Sequence, residues 1–224
     1  MFILTADIVT KVSLTITGQR ASEIARLHTE ICPLYGIDSA NIFHEFFANV
    51  LHESECFTRL EEGLNYKVQG LIDTFGLDRI SVEEASRFGR KAGQIANKVA
   101  IANTVYGGSW GKQHLGNIHP NDGWEFRGAG PIQMTGRGNI TAFTDYFNGK
   151  FKTTYTPELM ASRMRADLAT GIHSACWIFA ISKKLIDEAE RDEMRTIIKK
   201  INGGYLGEEK RMAFYERAKK YITD

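Results

Sequence analysis

This 224-residue sequence has few cysteines, no excess charge of either sign and no long apolar run. Its three cysteines are an odd number without C-x-x-C spacing, which excludes a complete disulfide framework and a zinc ribbon and predicts reduced thiols. The 28 basic residues balance 27 acidic ones, which argues against binding duplex nucleic acid through bulk electrostatics. No segment approaches the roughly 20 apolar residues of a membrane span. We therefore expect an ordinary globular protein that does not insert stably into a membrane.

The start of the sequence does not have the pattern of a secretory signal. Residues 1–17 lack a basic beginning, and Asp7 and Lys11 interrupt the apolar core that a signal would need. We therefore expect the protein to be made in the cytoplasm and kept there at first. The apolar residues of this segment have a mixed period, so the sequence leaves the structure of residues 1–19 open.

Apolar residues recur at helical spacing from Ala21 onward. The first predicted helix ends near Gly36, and a cap at Asp38 or Ser39 opens the next one. That second helix carries a wide apolar stripe that must be buried, and it leads directly to Glu53. The pattern therefore predicts a buried helix that holds a carboxylate at its C-terminal end.

Later apolar stripes predict a helix opened by a capping box at Ser81 and three helices in the last third of the chain. The Ser81 helix is expected to carry apolar residues inward as far as Ile95 and Val99. Residues 107–139 are rich in glycine and poor in aliphatic residues, which predicts a long irregular region that lines a functional site. No repeat or linker is evident, so we predict one mainly α domain over residues 1–224.

A run of four carboxylates begins at Glu53 and continues with Glu55, Glu61 and Glu62. Such a run is usually a solvated helix end, and Glu55 and Glu61 are interpreted in this way. Two carboxylates in one site can instead serve as a general acid and a general base. The rest of the sequence has to decide between the two interpretations.

Two familiar motifs are incomplete in this sequence. The glycines from Gly128 to Gln133 lack the third glycine of a dinucleotide fingerprint, and no buried strand precedes them. His52 and Glu53 are not followed by the second histidine of the HExxH zinc motif, because Cys56 occupies that position. We therefore predict neither a cofactor nor a metal, and we interpret His52 as a structural residue near Glu53.

Six motifs occur in one order along the chain. They are His52-Glu53-Ser54, Leu60-Glu61-Glu62-Gly63-Leu64-Asn65-Tyr66, Ile95-Ala96-Asn97, Asp122-Gly123-Trp124-Glu125-Phe126-Arg127-Gly128, Gly130-Pro131-Ile132-Gln133-Met134-Thr135-Gly136-Arg137 and Ile201-Asn202-Gly203-Gly204. Together they closely resemble glycoside hydrolase family 19, the chitinase-like enzymes, and within it the phage endolysin and bacterial lysozyme-like branch. The resemblance covers the chain from about Arg20 onward. It implies a mainly α, lysozyme-like fold with two lobes around a central cleft, and hydrolysis of β-1,4 bonds next to N-acetylated sugars with inversion.

The resemblance also implies roles for individual residues. Glu53 takes the position of the general acid, Glu62 that of the general base, and the Thr135 hydroxyl helps to hold the attacking water. Substrate contacts are expected from Gln133, Asn139, Asn202 and Tyr66, with Arg211 as a basic residue behind the catalytic carboxylates. Trp124 is a candidate for stacking on a sugar ring, and a packing role for its side chain is an equally good interpretation.

The spacing of the two carboxylates predicts a bend in the chain. Nine residues along one straight helix would separate Glu53 and Glu62 by about 13 Å along its axis. Inverting enzymes need their carboxyl groups roughly 6.5–9.5 Å apart. We therefore expect a turn around residues 56–58, with Glu62 on a loop or short hairpin that faces the helix end. The sequence departs from the family pattern at Gly63, which stands in place of Asn beside the predicted base, and at Ala129, which stands where relatives often have Arg.

The sequence leaves peptidoglycan and chitin open as substrates. A small domain without a secretion signal or a chitin-binding module resembles a phage or prophage lysis enzyme, which favours peptidoglycan. Such an enzyme reaches the cell wall after release through the inner membrane with the help of a second protein. The alternatives are a chitinase acting on chitin oligomers and an inactive glycan-binding module on the same fold. We expect a monomer in each case.

Overall fold

The computed structural model describes residues 2–224, and helices make up 64% of it. In chain order the α-helices of the described residues are α1 (Ala6–Ser13), α2 (Gly18–Ile31), α3 (Ala40–Glu53), α4 (Val68–Phe75), α5 (Val82–Phe88), α6 (Lys98–Val105), α7 (Gly108–Leu115), α8 (Asp122–Glu125), α9 (Arg137–Phe151), α10 (Pro157–Ala166), α11 (Leu168–Trp177), α12 (Ile186–Glu190), α13 (Met194–Asn202) and α14 (Glu208–Tyr221). A 3-10 helix covers Cys32–Tyr35, and a π-helical turn covers Ile178–Ser182. Strand pairing among these residues is limited to isolated bridges. The predicted mainly α, lysozyme-like fold class is confirmed.

The described residues group into two compact units. Unit 1 comprises the chain up to Leu60, the short segment Gly130–Ile132 and the C-terminal part Asp167–Asp224. Unit 2 comprises Glu61–Ala129 and Gln133–Ala166. The predicted run of carboxylates therefore straddles a boundary, because Glu53 belongs to unit 1 and Glu62 to unit 2. The single domain predicted over residues 1–224 stays a prediction.

Unit 1 is built around α3. The Ser39 hydroxyl caps this helix by accepting a hydrogen bond from the Ile42 amide at 3.4 Å. Its apolar stripe is buried as predicted, and α12, α13 and α14 pack against it. Phe43 and Phe47 stack with ring centroids 5.1 Å apart. Full burial of one such side chain contributes roughly 1.5–3 kcal/mol, so packing on several sides fixes the position of the last residue, Glu53.

Unit 2 has its own apolar core, which joins the segment after Glu61 to α4, α5 and α6. Its buried members are Leu64, Leu71, Phe75, Ile80, Ala85, Ile101, Ala102 and Val105. Gly123 lets α8 approach α6 closely, since a Cβ at this position would lie 2.3 Å from the Ala102 carbonyl oxygen. This close approach positions the motif that begins at Asp122.

The beginning of the chain, which the sequence left open, forms a helix. The Thr5 side chain caps α1 by accepting from the Ile8 amide at 3.3 Å. Val9 and Val12 are fully buried, and α1 packs against α2 and α14. The mixed apolar period arises because the helix is short and non-helical segments flank it on both sides.

Two expectations about the middle of the chain are wrong. The Ser81 helix forms with its capping box, but it ends at Phe88. Ile95 is 88% exposed and Val99 is 43% exposed, so neither residue points inward. Gly89 explains the early end, because a Cβ there would lie 2.9 Å from the Val68 Cα, so the chain turns against α4.

Residues 107–139 are also more regular than the glycine content predicted, because α7 and α8 lie within them. Gly107 precedes α7 and Gly116 ends it in the left-handed region at φ +67°. The glycines therefore mark the ends of short helices as well as loops. No helix among the described residues combines the length and the apolar character needed to cross a membrane.

Candidate active site

The predicted general acid, Glu53, is the last residue of α3 in unit 1. Ser54 follows as the C-cap residue. Its buried hydroxyl donates to the Val50 carbonyl at 2.6 Å and accepts from the Phe57 amide at 2.8 Å. These two bonds close the helix end, so the Glu53 side chain projects from a fixed backbone.

The chain bends directly after Glu53, as the carboxylate spacing predicted. Glu55, Cys56 and Phe57 all have positive φ angles, of +48°, +58° and +60°. Non-glycine residues normally visit this region singly, so three in succession store backbone strain. One straight helix through both carboxylates is excluded, and Glu62 lies outside the helices, as expected.

Arg211 on α14 holds the Glu53 carboxylate. Its guanidinium donates to Glu53 Oε1 at 2.5 Å and to Asn49 Oδ1 at 2.7 Å. The Asn49 amide in turn donates to the Glu45 carbonyl one turn earlier on α3, at 2.8 Å. Arg211 is only 1% exposed, so its charge is compensated within unit 1 rather than by solvent. The structure thus places Arg211 directly behind the predicted acid.

His52 packs against the loop that precedes α14. A Cβ on Gly207, which has φ +73°, would lie 2.4 Å from the His52 ring. Burial and the positive charge of Arg211 lower the pKa of His52, which keeps the ring neutral at pH 7. A neutral ring packed against backbone fits the structural role predicted for this histidine.

Asn202 ends α13 in the same unit. Its side-chain amide donates to the Leu206 carbonyl at 3.0 Å and so closes the loop from Gly203 to Gly207. The residue is exposed. The predicted substrate residue therefore also stabilises the loop that carries Gly207.

The predicted general base, Glu62, has a donor on each carboxylate oxygen. The Tyr106 hydroxyl donates to Oε1 at 2.6 Å, and the Gly128 amide donates to Oε2 at 3.1 Å. The Glu62 amide donates back to the Gly128 carbonyl, also at 3.1 Å. Backbone and side chain of Glu62 are therefore fixed to the same glycine.

Gly128 also brings Gln133 to Glu62. A Cβ at residue 128 would lie 2.6 Å from Gln133 Oε1 and 3.1 Å from the Glu62 Cβ, so any larger residue would displace both side chains. Gln133 itself has a φ of +53°, which is uncommon for a residue with a side chain. The glycines of this motif thus allow a close approach between a backbone and the predicted base.

Thr135 and Asn139 continue from Gln133 in a short series of hydrogen bonds. The Thr135 hydroxyl donates to the Gln133 carbonyl at 3.0 Å, and the Asn139 amide donates to the Thr135 carbonyl at 2.9 Å. With its hydrogen used in this bond, the Thr135 oxygen retains its lone pairs as acceptors. Three of the predicted site residues therefore form one hydrogen-bonded segment of unit 2.

Trp124 and Glu61 share a partner, Arg127. The Arg127 guanidinium lies 3.6 Å from the Trp124 ring centroid and donates to Glu61 Oε1 at 2.6 Å. Glu61 is exposed, as the interpretation of a solvated charge predicted, and it also pairs with Arg127, which is only 8% exposed. Glu55 is exposed and pairs with Arg59.

Trp124 and Tyr66 both pack against the apolar core of unit 2. The Tyr66 ring meets Phe75 edge-on with centroids 5.3 Å apart. The packing role considered for Trp124 is therefore present in the structure. Both rings are partly exposed, so each also has surface that a ligand can reach.

The predicted residues thus fall into separate groups in the two units. Unit 1 combines Glu53 with Arg211, and unit 2 combines Glu62 with the segment from Gln133. Sequence reasoning missed Tyr106, which donates to Glu62, and Asn49, which accepts from the Arg211 that binds Glu53. Tyr106 lies 44 residues from Glu62, and no local pattern marks it. Within residues 2–224 no cluster of three or more His, Cys, Asp or Glu side chains is arranged to bind a metal ion.

Comparison with known proteins connects this arrangement to one family. No family model matches the chain. A protein of Haemophilus influenzae, named a glycosyl hydrolase family 19 domain-containing protein, is 32% identical over 170 residues. The aligned region covers 76% of this chain and 74% of that relative. Since this identity extends over about three quarters of both proteins, the chain belongs to glycosyl hydrolase family 19.

Proposed function

We propose that this protein is a glycosidase that cleaves β-1,4 bonds of peptidoglycan by an inverting acid/base mechanism. The observation that supports the proposal is that both carboxylates of the family motifs are held by dedicated donors. Glu53 accepts from the buried Arg211, and Glu62 accepts from Tyr106 and the Gly128 amide. These donors hold both carboxylates in defined orientations, which a general acid and a general base require.

In this mechanism Glu53 is the general acid and Glu62 is the general base. Glu53 protonates the glycosidic oxygen as the bond from that oxygen to the anomeric carbon breaks. Glu62 takes a proton from water, whose oxygen forms the new bond to the anomeric carbon on the opposite face. Thr135 and Gln133 hold that water, because a hydroxyl oxygen and a side-chain amide both offer hydrogen bonds to it.

Substrate contacts are proposed for Asn139, Asn202, Tyr66 and Trp124. The amides suit the N-acetyl and hydroxyl groups of the sugars, and the exposed parts of the aromatic rings suit their apolar faces. The lysozyme-like motifs favour the bacterial cell wall as the place of action, reached through the inner membrane with the help of a second protein. The protein would act as a monomer without a cofactor.

The acid and base are tested by the variants Glu53→Gln and Glu62→Gln. Each should lower kcat on peptidoglycan by about 10²- to 10⁴-fold, because a general acid or base contributes that much to the rate. Glutamine keeps the shape of the side chain, and circular dichroism should show a folded protein. Glu55→Gln is the control, since Glu55 is an exposed carboxylate of the same run. Full activity of both Gln variants would contradict the catalytic assignment.

Rescue of activity by azide distinguishes the general base from the general acid. Azide attacks the anomeric carbon without losing a proton, so it replaces the water and needs no base, while the leaving oxygen still takes its proton from Glu53. Azide should therefore restore part of the turnover of Glu62→Ala with a glycosyl azide as product, and it should not restore Glu53→Gln. Rescue of the Glu53 variant alone would reverse the roles.

The substrate and stereochemistry are tested with purified peptidoglycan and with chitin oligomers in parallel. Mass spectrometry of the new reducing ends identifies the bond that is cut, and NMR of fresh product identifies its anomer. We expect cleavage of peptidoglycan with inversion. Faster cleavage of chitin than of peptidoglycan would show that chitin is the preferred substrate. A product with retained anomeric configuration would contradict the inverting mechanism.

A further inference from the structure

We propose that Tyr106 is a positioning residue that fixes the Glu62 carboxylate for activation of the attacking water. This inference rests on the proposed function, in which Glu62 is the general base. It adds a residue that the sequence motifs do not mark.

The Glu62 carboxylate is fixed by one donor on each oxygen. Tyr106 donates to Oε1 at 2.6 Å and the Gly128 amide donates to Oε2 at 3.1 Å. Rotation of the carboxylate about its terminal bond would break both bonds at once. Each oxygen can accept a second hydrogen bond, so a water molecule can still be bound by the same group. The two donors therefore orient the base without blocking it.

The Tyr106 side chain is held in turn by its surroundings in unit 2. Its ring meets Phe75 edge-on with centroids 5.9 Å apart. The Asn117 amide donates to its carbonyl at 2.8 Å, which fixes the backbone where α6 ends. Two independent contacts thus fix the ring and the main chain of the residue that carries the hydroxyl.

Arg79 supports the same ring from one face. Its guanidinium lies 5.3 Å from the Tyr106 ring centroid and 3.7 Å from that of Trp110. Its Nε donates to the Val105 carbonyl at 2.9 Å, which anchors the guanidinium to the end of α6. A cation over an aromatic ring adds attraction at a defined geometry. The hydroxyl therefore projects from a preorganised support rather than from a mobile side chain.

The hydroxyl remains a donor under all conditions in which the enzyme would work. Burial raises the pKa of Tyr106 well above its usual range, and the negative charge of Glu62 raises it further. The proton therefore stays on the tyrosine oxygen, and Glu62 remains the acceptor in the bond. A hydroxyl that always donates to Glu62 suits a residue that orients a base and does not itself transfer a proton.

The test compares Tyr106→Phe with the parent protein on peptidoglycan. The variant keeps the ring and its packing but loses the donor, so kcat should fall about 10- to 100-fold while KM stays within about twofold. Tyr155→Phe is the matched control in the same unit, since the Tyr155 ring packs against Phe147 of α9. A Tyr106→Phe enzyme with unchanged kcat would overturn the inference.

A double-mutant cycle separates positioning from a general loss of structure. In the Glu62→Gln background, Tyr106→Phe should cause no further loss of kcat, because the base that it positions is absent. An equal further loss in that background would show a structural role and overturn the inference. Failure of Glu62→Gln to reduce activity would instead overturn the proposed function, which keeps the two failures distinct.

A second variant keeps the test valid if Tyr106→Phe unfolds more readily. Ile101→Val removes one methyl group from a fully buried residue of α6 and leaves the hydroxyl in place. With variants compared at equal fractions folded, only Tyr106→Phe should lose kcat. Equal losses in both variants would assign the effect to the packing of α6 and contradict a positioning role.

Discussion

The buried guanidinium of Arg211 fixes the Glu53 carboxylate, because a buried charge needs well-aligned partners. Removing a guanidinium from water costs several kcal/mol, and only well-aligned partners offset that cost. Arg211 has two such partners, Asn49 and Glu53, and both lie on α3. Loss of Glu53 would leave the buried charge uncompensated, and loss of Asn49 would leave a buried N–H without an acceptor, so the geometry around Glu53 is rigid. Rigid placement matters for a group that must deliver a proton to one atom.

Glu45 lies one turn before Asn49 on α3, and its burial makes the stability of unit 1 depend on pH. The residue is fully buried, and burial raises its pKa from 4.5 to about 8. Asp192, Tyr215 and Lys219 are its charged or titratable neighbours. A raised carboxyl pKa means that the folded state binds the proton more tightly, so stability is lost as pH rises from 4.5 to about 8. The loss is at most about 5 kcal/mol.

The variant Glu45→Gln should remove this dependence, because the amide stays neutral at every pH. Urea unfolding at pH 5, 6.5 and 8 should show a variant that is similar to the parent at pH 5 and more stable at pH 8. Glu30→Gln is the control, since Glu30 is an exposed carboxylate on α2. An equal difference between Glu45→Gln and the parent at all three pH values would contradict the assignment.

The loop between α13 and α14 begins and ends at glycines, and the second of them packs against His52, the residue before the proposed acid. Gly203 ends α13 at φ +75° and Gly207 precedes α14 at φ +73°, so a substitution at either position is strained. The two positions differ in the room for a side chain. A Cβ at Gly203 would have no atom within 4 Å, whereas a Cβ at Gly207 would lie 2.4 Å from the His52 ring. The two glycines thus form a matched pair.

Gly207→Ala should therefore cost more than Gly203→Ala. Strain alone costs roughly 1–2 kcal/mol, and the forced shift of His52 adds roughly 1–3 kcal/mol. Gly207→Ala should also lower kcat, because His52 precedes Glu53 in the chain. Thermal unfolding and peptidoglycan turnover of both variants provide the measurement. Equal loss of stability in the two variants would show that His52 does not pack against Gly207 in solution.

Periodicity predicted the elements where one face is buried and failed where the chain turns. The stripe of α3 and its Ser39 cap were predictable, since both depend on residues close in sequence. The end of α5 was not, because it depends on the approach of Gly89 to Val68, a contact between different elements. Short helices such as α8 bury too few residues to produce a period.

At the scale of the whole molecule, the family motifs identified both carboxylates and Arg211 but not Asn49 or Tyr106, which complete the contacts around them. Arg211 and Asn49 are 162 residues apart, and Tyr106 and Glu62 are 44 apart. Such contacts arise only when the chain has folded, so no local pattern encodes them. The boundary between the two units at Leu60 was also not predictable, because the sequence around this residue does not have the composition of a linker.

Both units have buried charged groups, and Asp122 is one of those in unit 2. This carboxylate is 2% exposed and accepts from Arg137 at 2.8 Å and from the amides of Ile118 and His119. Burial alone would raise the pKa of Asp122, but these donors outweigh it and lower the pKa to about 2. The folded state therefore favours the ionised form, and this stability is lost as pH falls from 3.8 to about 2.

Asp122→Asn should destabilise unit 2 at neutral pH by roughly 3–5 kcal/mol, because it leaves Arg137 without its buried partner. Glu158→Gln removes the other, half-exposed partner of Arg137 and should cost less than about 1 kcal/mol. Hydrogen exchange at pH 7 should show the Asp122→Asn effect most strongly in peptides from α8, α9 and α10. The variant should also lose less stability than the parent between pH 3.8 and 2, since the titrating group is gone. If exchange instead rose most in α3 and α14, the Asp122 ion pair would not be the feature that stabilises unit 2.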